Sequence, residues 1–275
     1  MIDDKPGVPV SKSIVSVIIP TLNEGLHLPI CLESLKSQTI KGFELIVVDS
    51  GSRDGTREVA ASEGAIIVDY PGRLLGARYE GLKISKGELI LNLDADQVLY
   101  PDTLERAVTA ILGLDMLALE EFSYQPKGFL QNSISRQKAA LQQSARPGEL
   151  PLHCYPRVFR RKLLEDAFSQ LPQDALGSIF LNEDRILFSK TRGISNKVGF
   201  LPRGVMHIEE DTWLGMLRHS YRTGKSKRSL RTYNITTEAN PPESSIVLLR
   251  RAVRNRYFIY SLLKELATRL GVALG

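Results

Sequence analysis

Long apolar runs are missing from this chain of 275 residues. No stretch approaches the roughly 18 consecutive apolar residues of a membrane-spanning helix, so none is expected. Cysteine is scarce: Cys31 and Cys154 lie far apart and form no metal-ligand spacing. They read as buried free thiols suited to a reducing cytosol. Aromatic residues make up only 7%, and no nucleic-acid-binding motif is present, which argues against a surface that stacks bases. The opening segment "MIDDKPGVPV" is acidic and carries no apolar stretch, so it does not read as a secretory signal, and the expected location is cytoplasmic. Internal repeats and low-complexity linkers are also absent.

What is present is the make-up of an ordinary globular protein, 43% hydrophobic and 24% charged. The charge is unevenly placed. Residues 1–124 hold 11 Lys and Arg against 19 Asp and Glu, a net −8, whereas residues 125–275 hold 25 against 12, a net +13. Such a basic half suits a partner bearing phosphate or an anionic lipid surface.

The hydrophobic pattern alternates between two kinds of element. "SIVSVIIP", "FELIVVD", "AIIVDY" and "ELILNLD" are short, near-continuous apolar runs, read as buried strands. Between them lie helical patterns. Leu28, Cys31, Leu32 and Leu35 fall at i, i+3, i+4 and i+7, a short helix ends near Gly64, and Leu75, Tyr79 and Leu82 mark a third that closes at Gly87. "PDTLERAVTAIL" predicts a fourth with Pro101 in its first turn and Leu104, Val108, Ile111 and Leu112 on one face. This order predicts an α/β fold, a mostly parallel sheet with helices on both faces. Later, "MLALEEFSY" predicts a strand, 128–143 a helix, "LNEDRILFSKTRG" a helix start, "VGFLP" and "GVMHIEED" two short strands, and a longer helix begins near Asp211. "EANPPESS" breaks the chain before a final helix.

Ligands of such sheets sit beyond the carboxyl ends of the strands. Here those ends carry Thr21–Glu24, Asp49–Ser52 and Asp94–Asp96, three polar clusters on one rim. Asp94 and Asp96 repel each other unless a cation compensates; hard oxygen ligands at a strand end suit Mg²⁺ or Mn²⁺ bridging substrate phosphates. Each cluster has a plainer use as well, since Asn23 and Glu24 suit a helix start and Asp49 and Ser52 a turn.

"VSVIIPTLNEG", "ELIVVDSGSRDGT", "GARYEGLKISKGELILNLDAD" and "LNEDRILF" together resemble the inverting family 2 glycosyltransferases with the GT-A fold. The likeness is clear over residues 14–112 and more diffuse to about 225. It implies a GT-A catalytic domain over 1–235, with a nucleotide-sugar half at 14–112 and an acceptor-side half at 113–235, followed by a basic helical appendage at 236–275. By the same resemblance, Pro20, Thr21, Asn23 and Glu24 would line the nucleotide site, with Glu24 near the ribose. Asp49 would meet the base, with Ser52 nearby. Gly76, Ala77 and Arg78 would pass under the nucleotide; Tyr79 stands where many relatives have Asn. Asp94 would hold ribose or sugar, with Ala95 between it and Asp96, the metal ligand. Glu183 and Asp184 would be the catalytic acidic pair, Asp184 preferred as the base, and His207 would complete the metal site. His27, His153 and His219 have weaker cases.

"RHSYRTGKSKRS" holds Arg218, Arg222, Lys225, Lys227 and Arg228. Arg222 or Lys225, on a mobile loop around Gly224, would stabilise the leaving diphosphate. The last 32 residues carry a net +5, and Leu249, Val253, Tyr260, Leu263 and Leu270 share a rough stripe. This helix suits either the surface of an anionic bilayer or packing on the protein. The expected activity is a metal-dependent, inverting transfer of a hexose from a nucleoside-diphosphate sugar to a polyprenyl phosphate or a nascent glycan at the cytoplasmic membrane face. A nucleotidyltransferase would want a glycine-rich, lysine-bearing phosphate loop that "PTLNEG" lacks. A non-catalytic membrane-surface module on the same fold is the other alternative.

Overall fold

The computed structural model describes residues 15–143, 150–151, 154–179, 182–232 and 258–274. Their centre is one eight-stranded sheet of order β3-β2-β1-β4-β7-β6-β8-β5. The strands are β1 (Val15–Thr21), β2 (Glu44–Asp49), β3 (Ile66–Asp69), β4 (Leu89–Asn92), β5 (Gln97–Leu99), β6 (Met116–Ser123), β7 (Pro156–Arg160) and β8 (Val198–His207). The first four pair in parallel. Beyond them β7 runs antiparallel to β4 and β6, β6 and β8 are parallel, and β5 closes the edge antiparallel to β8.

Helices α1 (Leu28–Lys36), α2 (Thr56–Ser62), α3 (Leu74–Ile84) and α4 (Thr103–Ala110) alternate with the first strands. Next come α5 (Gly128–Gln142), α6 (Arg161–Ser169), α7 (Gln173–Ser178), α8 (Glu183–Ile194), α9 (Trp213–Thr232) and, last among the described residues, α10 (Phe258–Leu274). The near-continuous apolar strands have a direct cause. Val17 and Ile19 of β1 face a core layer with α1 and α4, whereas Ile18 between them faces a second layer with α3, α6 and α8. Since successive strand residues point to opposite faces, both faces must be apolar when both are covered. Gly81 lets α3 lie close on β1: a β-carbon there would stand 2.4 Å from Ile18 Cγ2.

Several expectations are corrected. β3 is the sheet edge, and Ile66 is 44% exposed, so this run is not buried. α3 ends at the cap Ser85, before Gly87. Pro101 precedes α4, whose cap is Asp102. That helix stops at Ala110, leaving Leu112 outside it and exposed. The two short strands expected around Pro202 are one strand, β8, with a register irregularity against β6. Gly224 lies in α9, not in a loop, against Gly271 of α10. A β-carbon on Gly224 would stand 2.1 Å from the Thr268 carbonyl, and one on Gly271 2.0 Å from that of Tyr221. In α10, Tyr260 is buried with Leu130, Ile134 and Met216, and Leu263 packs against them, but Leu270 is exposed on another face. The helix therefore packs on the body, as one of the two alternatives required. Leu249, Val253, the boundary at 236 and His153 fall outside the described residues.

Candidate active site

The loops after β1 and β2 are laced together. The Asn23 backbone N–H donates to Ser52 Oγ (2.8 Å), the Arg53 N–H to Asn23 Oδ1 (2.9 Å), the Glu24 N–H to Thr56 Oγ1 (2.9 Å) and the Gly25 N–H to Asp54 Oδ2 (2.9 Å). Asn23 sits at φ 57°, in the left-handed region that Asn tolerates better than most residues. Asp49 is buried and takes hydrogen bonds from the Thr21 and Ser52 hydroxyls and from the backbone of Gly51 and Ser52. Burial disfavours its charge, but those bonds outweigh burial and hold its pKa below the usual carboxylate range. Both oxygens are engaged, so a base N–H would have to displace one of these donors. Pro20, in β1, is buried opposite Val48. Glu24 has its pKa raised by burial, against the opposing hydrogen bond with His27 (3.0 Å).

At the end of β4 the two aspartates go separate ways. The Asp94 N–H donates to Gln97 Oε1 (3.0 Å) and the Gln97 N–H to the Asp94 carbonyl (3.0 Å). This tight turn ends β4 and starts β5, placing Ala95 in the core. Asp94 Oδ1 meets Arg78 and its Oδ2 meets Arg157 Nη1 (3.0 Å). Arg78 is wholly buried and also donates to the carbonyls of Ile18 (3.0 Å) and Leu93 (2.8 Å). Gly76, two residues before Arg78, packs against the Tyr70 hydroxyl and the Leu176 carbonyl. Asp96 instead meets His207: β5 pairs with β8 so that Gln97 lies opposite His207, and His207 Nε2 stands 3.3 Å from Asp96 Oδ2. Burial alone would raise the Asp96 pKa, but His207 brings it down to about 2. Burial would likewise lower that of His207, but Asp96 brings it up to about 10. Asp96 Oδ1 is buried with no hydrogen-bond partner.

A chain of partly buried charges links these residues, and the sequence reading missed its middle. Arg157 Nη2 lies 3.0 Å from Glu121, Lys138 Nζ 2.7 Å from both Glu121 and Glu209, and Glu209 3.3 Å from His207 Nδ1. The network raises the Arg157 pKa against its burial and holds that of Glu121 well below its usual value. A signal was available: Glu121 lies in an apolar strand, and Arg157 in "CYPRVF", where an unpaired charge would be costly.

The acidic pair at the start of α8 divides as well. Glu183 is buried, 3.7 Å from Arg78 Nη2; burial and the neighbouring Asp184 push its pKa up to about 8. Asp184 stays half-buried, accepts the Arg185 N–H (2.7 Å), and has its pKa raised by burial. Arg222 and Lys225 lie exposed on α9. His219, one turn before Arg222, has its pKa lowered by burial and by Lys264, and it also feels His207 and Asp96.

Among the described residues no group of three or more His, Cys, Asp or Glu is arranged to hold a metal alone. Asp96 supplies one donor of the right chemistry, a buried oxygen without a partner, and His207 would supply a second on giving up the proton that Asp96 and Glu209 hold on it. That suits an ion such as Mn²⁺ or Mg²⁺, which keeps waters and substrate oxygens in its shell.

Known proteins agree with this architecture. The model of glycosyl transferase family 2 matches residues 16–168, and the chain belongs to that family. It is 29% identical over 167 residues to undecaprenyl-phosphate 4-deoxy-4-formamido-L-arabinose transferase of Aeromonas hydrophila, covering 55% of this chain and 50% of the relative. It is 36% identical over 126 residues to glycosyltransferase AglE of Haloferax volcanii, covering 42% of this chain and 41% of the relative. The chain thus spans about half or less of the length of these relatives. The mannosyltransferase PcManGT from Pyrobaculum calidifontis, solved with GDP-Man and Mn²⁺, superposes with a TM-score of 0.63 at 18% identity, covering 97% of this chain and 87% of that one. TarS 1-349 of S. aureus, solved with UDP-GlcNAc, gives 0.59 at 18% identity, covering 90% and 79%. These likenesses establish a GT-A glycosyltransferase fold.

Proposed function

We propose that the chain is a divalent-metal-dependent, inverting glycosyltransferase. It moves a hexose from a nucleoside-diphosphate sugar to an acceptor at the cytoplasmic face of a membrane, with a polyprenyl phosphate or a nascent glycan as the candidate acceptors. The observation that carries this reading is the open Asp96 oxygen beside His207, on the rim where the β1, β2 and β4 loops meet. Asp96 and His207 would hold Mn²⁺ or Mg²⁺, which when bound supplies positive charge to the donor diphosphate. The names of the Aeromonas relative and of the Pyrobaculum complex, with undecaprenyl phosphate in one and GDP-Man with Mn²⁺ in the other, agree with the reading.

The chain's own residues divide the work. Thr21–Glu24 and Asp49–Ser52 form a rigid wall for the nucleoside. Arg78 and Arg157 hold Asp94 toward ribose or sugar. Asp184, half-buried and on the acceptor side, takes the proton of an attacking hydroxyl; for a phosphate acceptor, already deprotonated, it orients. Glu183, buried and raised toward a neutral carboxyl, supports Arg78 and is not the base. Arg222 and Lys225 offset the charge of the departing diphosphate.

Among the described residues no helix is long and apolar enough to cross a membrane. Ile259, Leu262, Leu266, Leu270 and Leu274 instead form an exposed apolar stripe along α10, which suits contact with a bilayer surface.

The central test is a thermal-shift titration with nucleoside-diphosphate sugars, with and without Mn²⁺, followed by assay of nucleoside-diphosphate release. One donor is expected to stabilise the protein more strongly with Mn²⁺; no stabilisation by any donor would refute the reading. Leu262→Ser with Leu266→Ser is expected to reduce sedimentation with anionic vesicles; unchanged sedimentation would remove the membrane contact.

A further inference from the structure

The start of α8 carries donors without partners among the described residues. Asn182 caps the helix at φ 65°, and its Nδ2 is buried without a partner. Arg185, in the first turn, has a buried Nε without a partner. Tyr155 is only 8% exposed, and its hydroxyl is likewise unpartnered. The Tyr155 ring packs on Phe188, one turn beyond Asp184, with centroids 6.0 Å apart. Buried polar groups in folded proteins are rarely left unpaired, and here three lie near Asp184: Asn182 and Arg185 flank it in the chain, and the Tyr155 hydroxyl feels the charges of both Arg185 and Asp184. Asn182 Nδ2 and Arg185 Nε can only donate, and one of the three groups is cationic.

We propose that Tyr155, Asn182 and Arg185 form a subsite, next to Asp184, for an anionic oxygen group of the acceptor, a phosphate in particular. The inference rests on the transferase reading for the word acceptor, but the anion site stands on its own geometry. A phosphate offers the acceptor oxygens that all three groups require, and Arg185 supplies charge-assisted binding. Burial pushes the Tyr155 pKa up to about 12, so its hydroxyl keeps the proton it would donate. A further cation lies near Arg185: burial and then Arg185 lower the pKa of Lys227, with Glu265 opposing and Lys264 adding to the effect. An anion at Arg185 relieves that repulsion. A neutral glycan hydroxyl does not, so the subsite favours a phosphorylated acceptor over a neutral one.

The test compares the parent with Tyr155→Phe and Arg185→Gln in calorimetric titrations with inorganic phosphate and with farnesyl phosphate. The parent is expected to bind one or both probes, and each variant to bind about tenfold more weakly or worse. Tyr155→Phe keeps the ring on Phe188 and removes only an unpaired hydroxyl, so without ligand it is expected to melt no lower than the parent. Tighter binding of farnesyl phosphate assigns a lipid acceptor; equal binding of the two assigns recognition of the phosphate alone. Parent-like affinity of both variants for both probes, or no binding of either probe to the parent, overturns the subsite. UDP and GDP binding with Mn²⁺ is measured alongside. Its absence in the parent defeats the transferase reading while leaving a Tyr155- and Arg185-dependent phosphate site intact.

Discussion

The loops after β1 and β2 treat their polar groups in the opposite way to the region around β5, β7 and α8. In the parallel half, the rim after β1 and β2 is closed upon itself: Asp49 has both oxygens engaged, and Asn23, Ser52, Asp54 and Thr56 bond to one another. In the mixed half, Asp96 Oδ1, Tyr155 Oη, Asn182 Nδ2 and Arg185 Nε are buried and open. The first half is a finished wall. The second is held by a relay of ion pairs, from Arg78 through Asp94, Arg157, Glu121, Lys138 and Glu209 to His207 and Asp96. Preorganised charge of this kind keeps reacting groups in place without rearrangement.

The largest effect expected from this contrast is at Asp96. Asp96→Ala should abolish Mn²⁺-dependent donor binding in a nucleotide titration while the far-UV circular dichroism stays that of the parent; donor affinity still enhanced by Mn²⁺ would break the assignment. Next, Asp184→Asn should slow transfer by about 10²–10⁴-fold, as loss of a general base does, with donor affinity kept. A parent-like turnover rate would mean either that Asp184 is not the base or that the acceptor is already deprotonated.

Two arginines sharpen the comparison in stability. Arg157→Leu takes one of two cationic partners from each of Asp94 and Glu121 and should lower urea stability by about 1–3 kcal/mol. Replacing Arg57, whose guanidinium is 38% exposed between Asp49 and Asp69, by Ala should lower stability far less, because solvent screens an exposed pair.

A pH trend tests the buried acid. Glu183 titrates near 8 in the folded chain against a usual value of 4.5. Between those values the folded state keeps a proton that the unfolded state releases, so this group's contribution to stability falls as pH rises through that window. Melting temperatures of the parent relative to Glu183→Gln should therefore decline from pH 5 to pH 8; a flat difference would contradict a buried, proton-holding Glu183.

Legibility in the sequence follows the same division. The parallel half is built of consecutive strands and helices with short links, so periodicity placed β1, α1, β2, α2, α3 and β4, and the strand ends gave the rim. The mixed half depends on distant pairings. β5 is three residues long, too short to show a period, yet its register against β8 is what brings His207 to Asp96. β7, α6 and α7 carried no pattern that stood out. Arg157 and Glu121 come together only because β6 and β7 are neighbours, across 36 positions of sequence. For Gly224 composition misled: glycine among lysines reads as a loop, but here it serves a helix crossing.

That crossing couples two parts of the molecule. With only hydrogens between the backbones at Gly224 and Gly271, α9 and α10 mesh like teeth, and neither slides without the other. The apolar outer edge of α10 and the exposed Arg222 and Lys225 of α9 are thus carried by two helices locked together at one crossing.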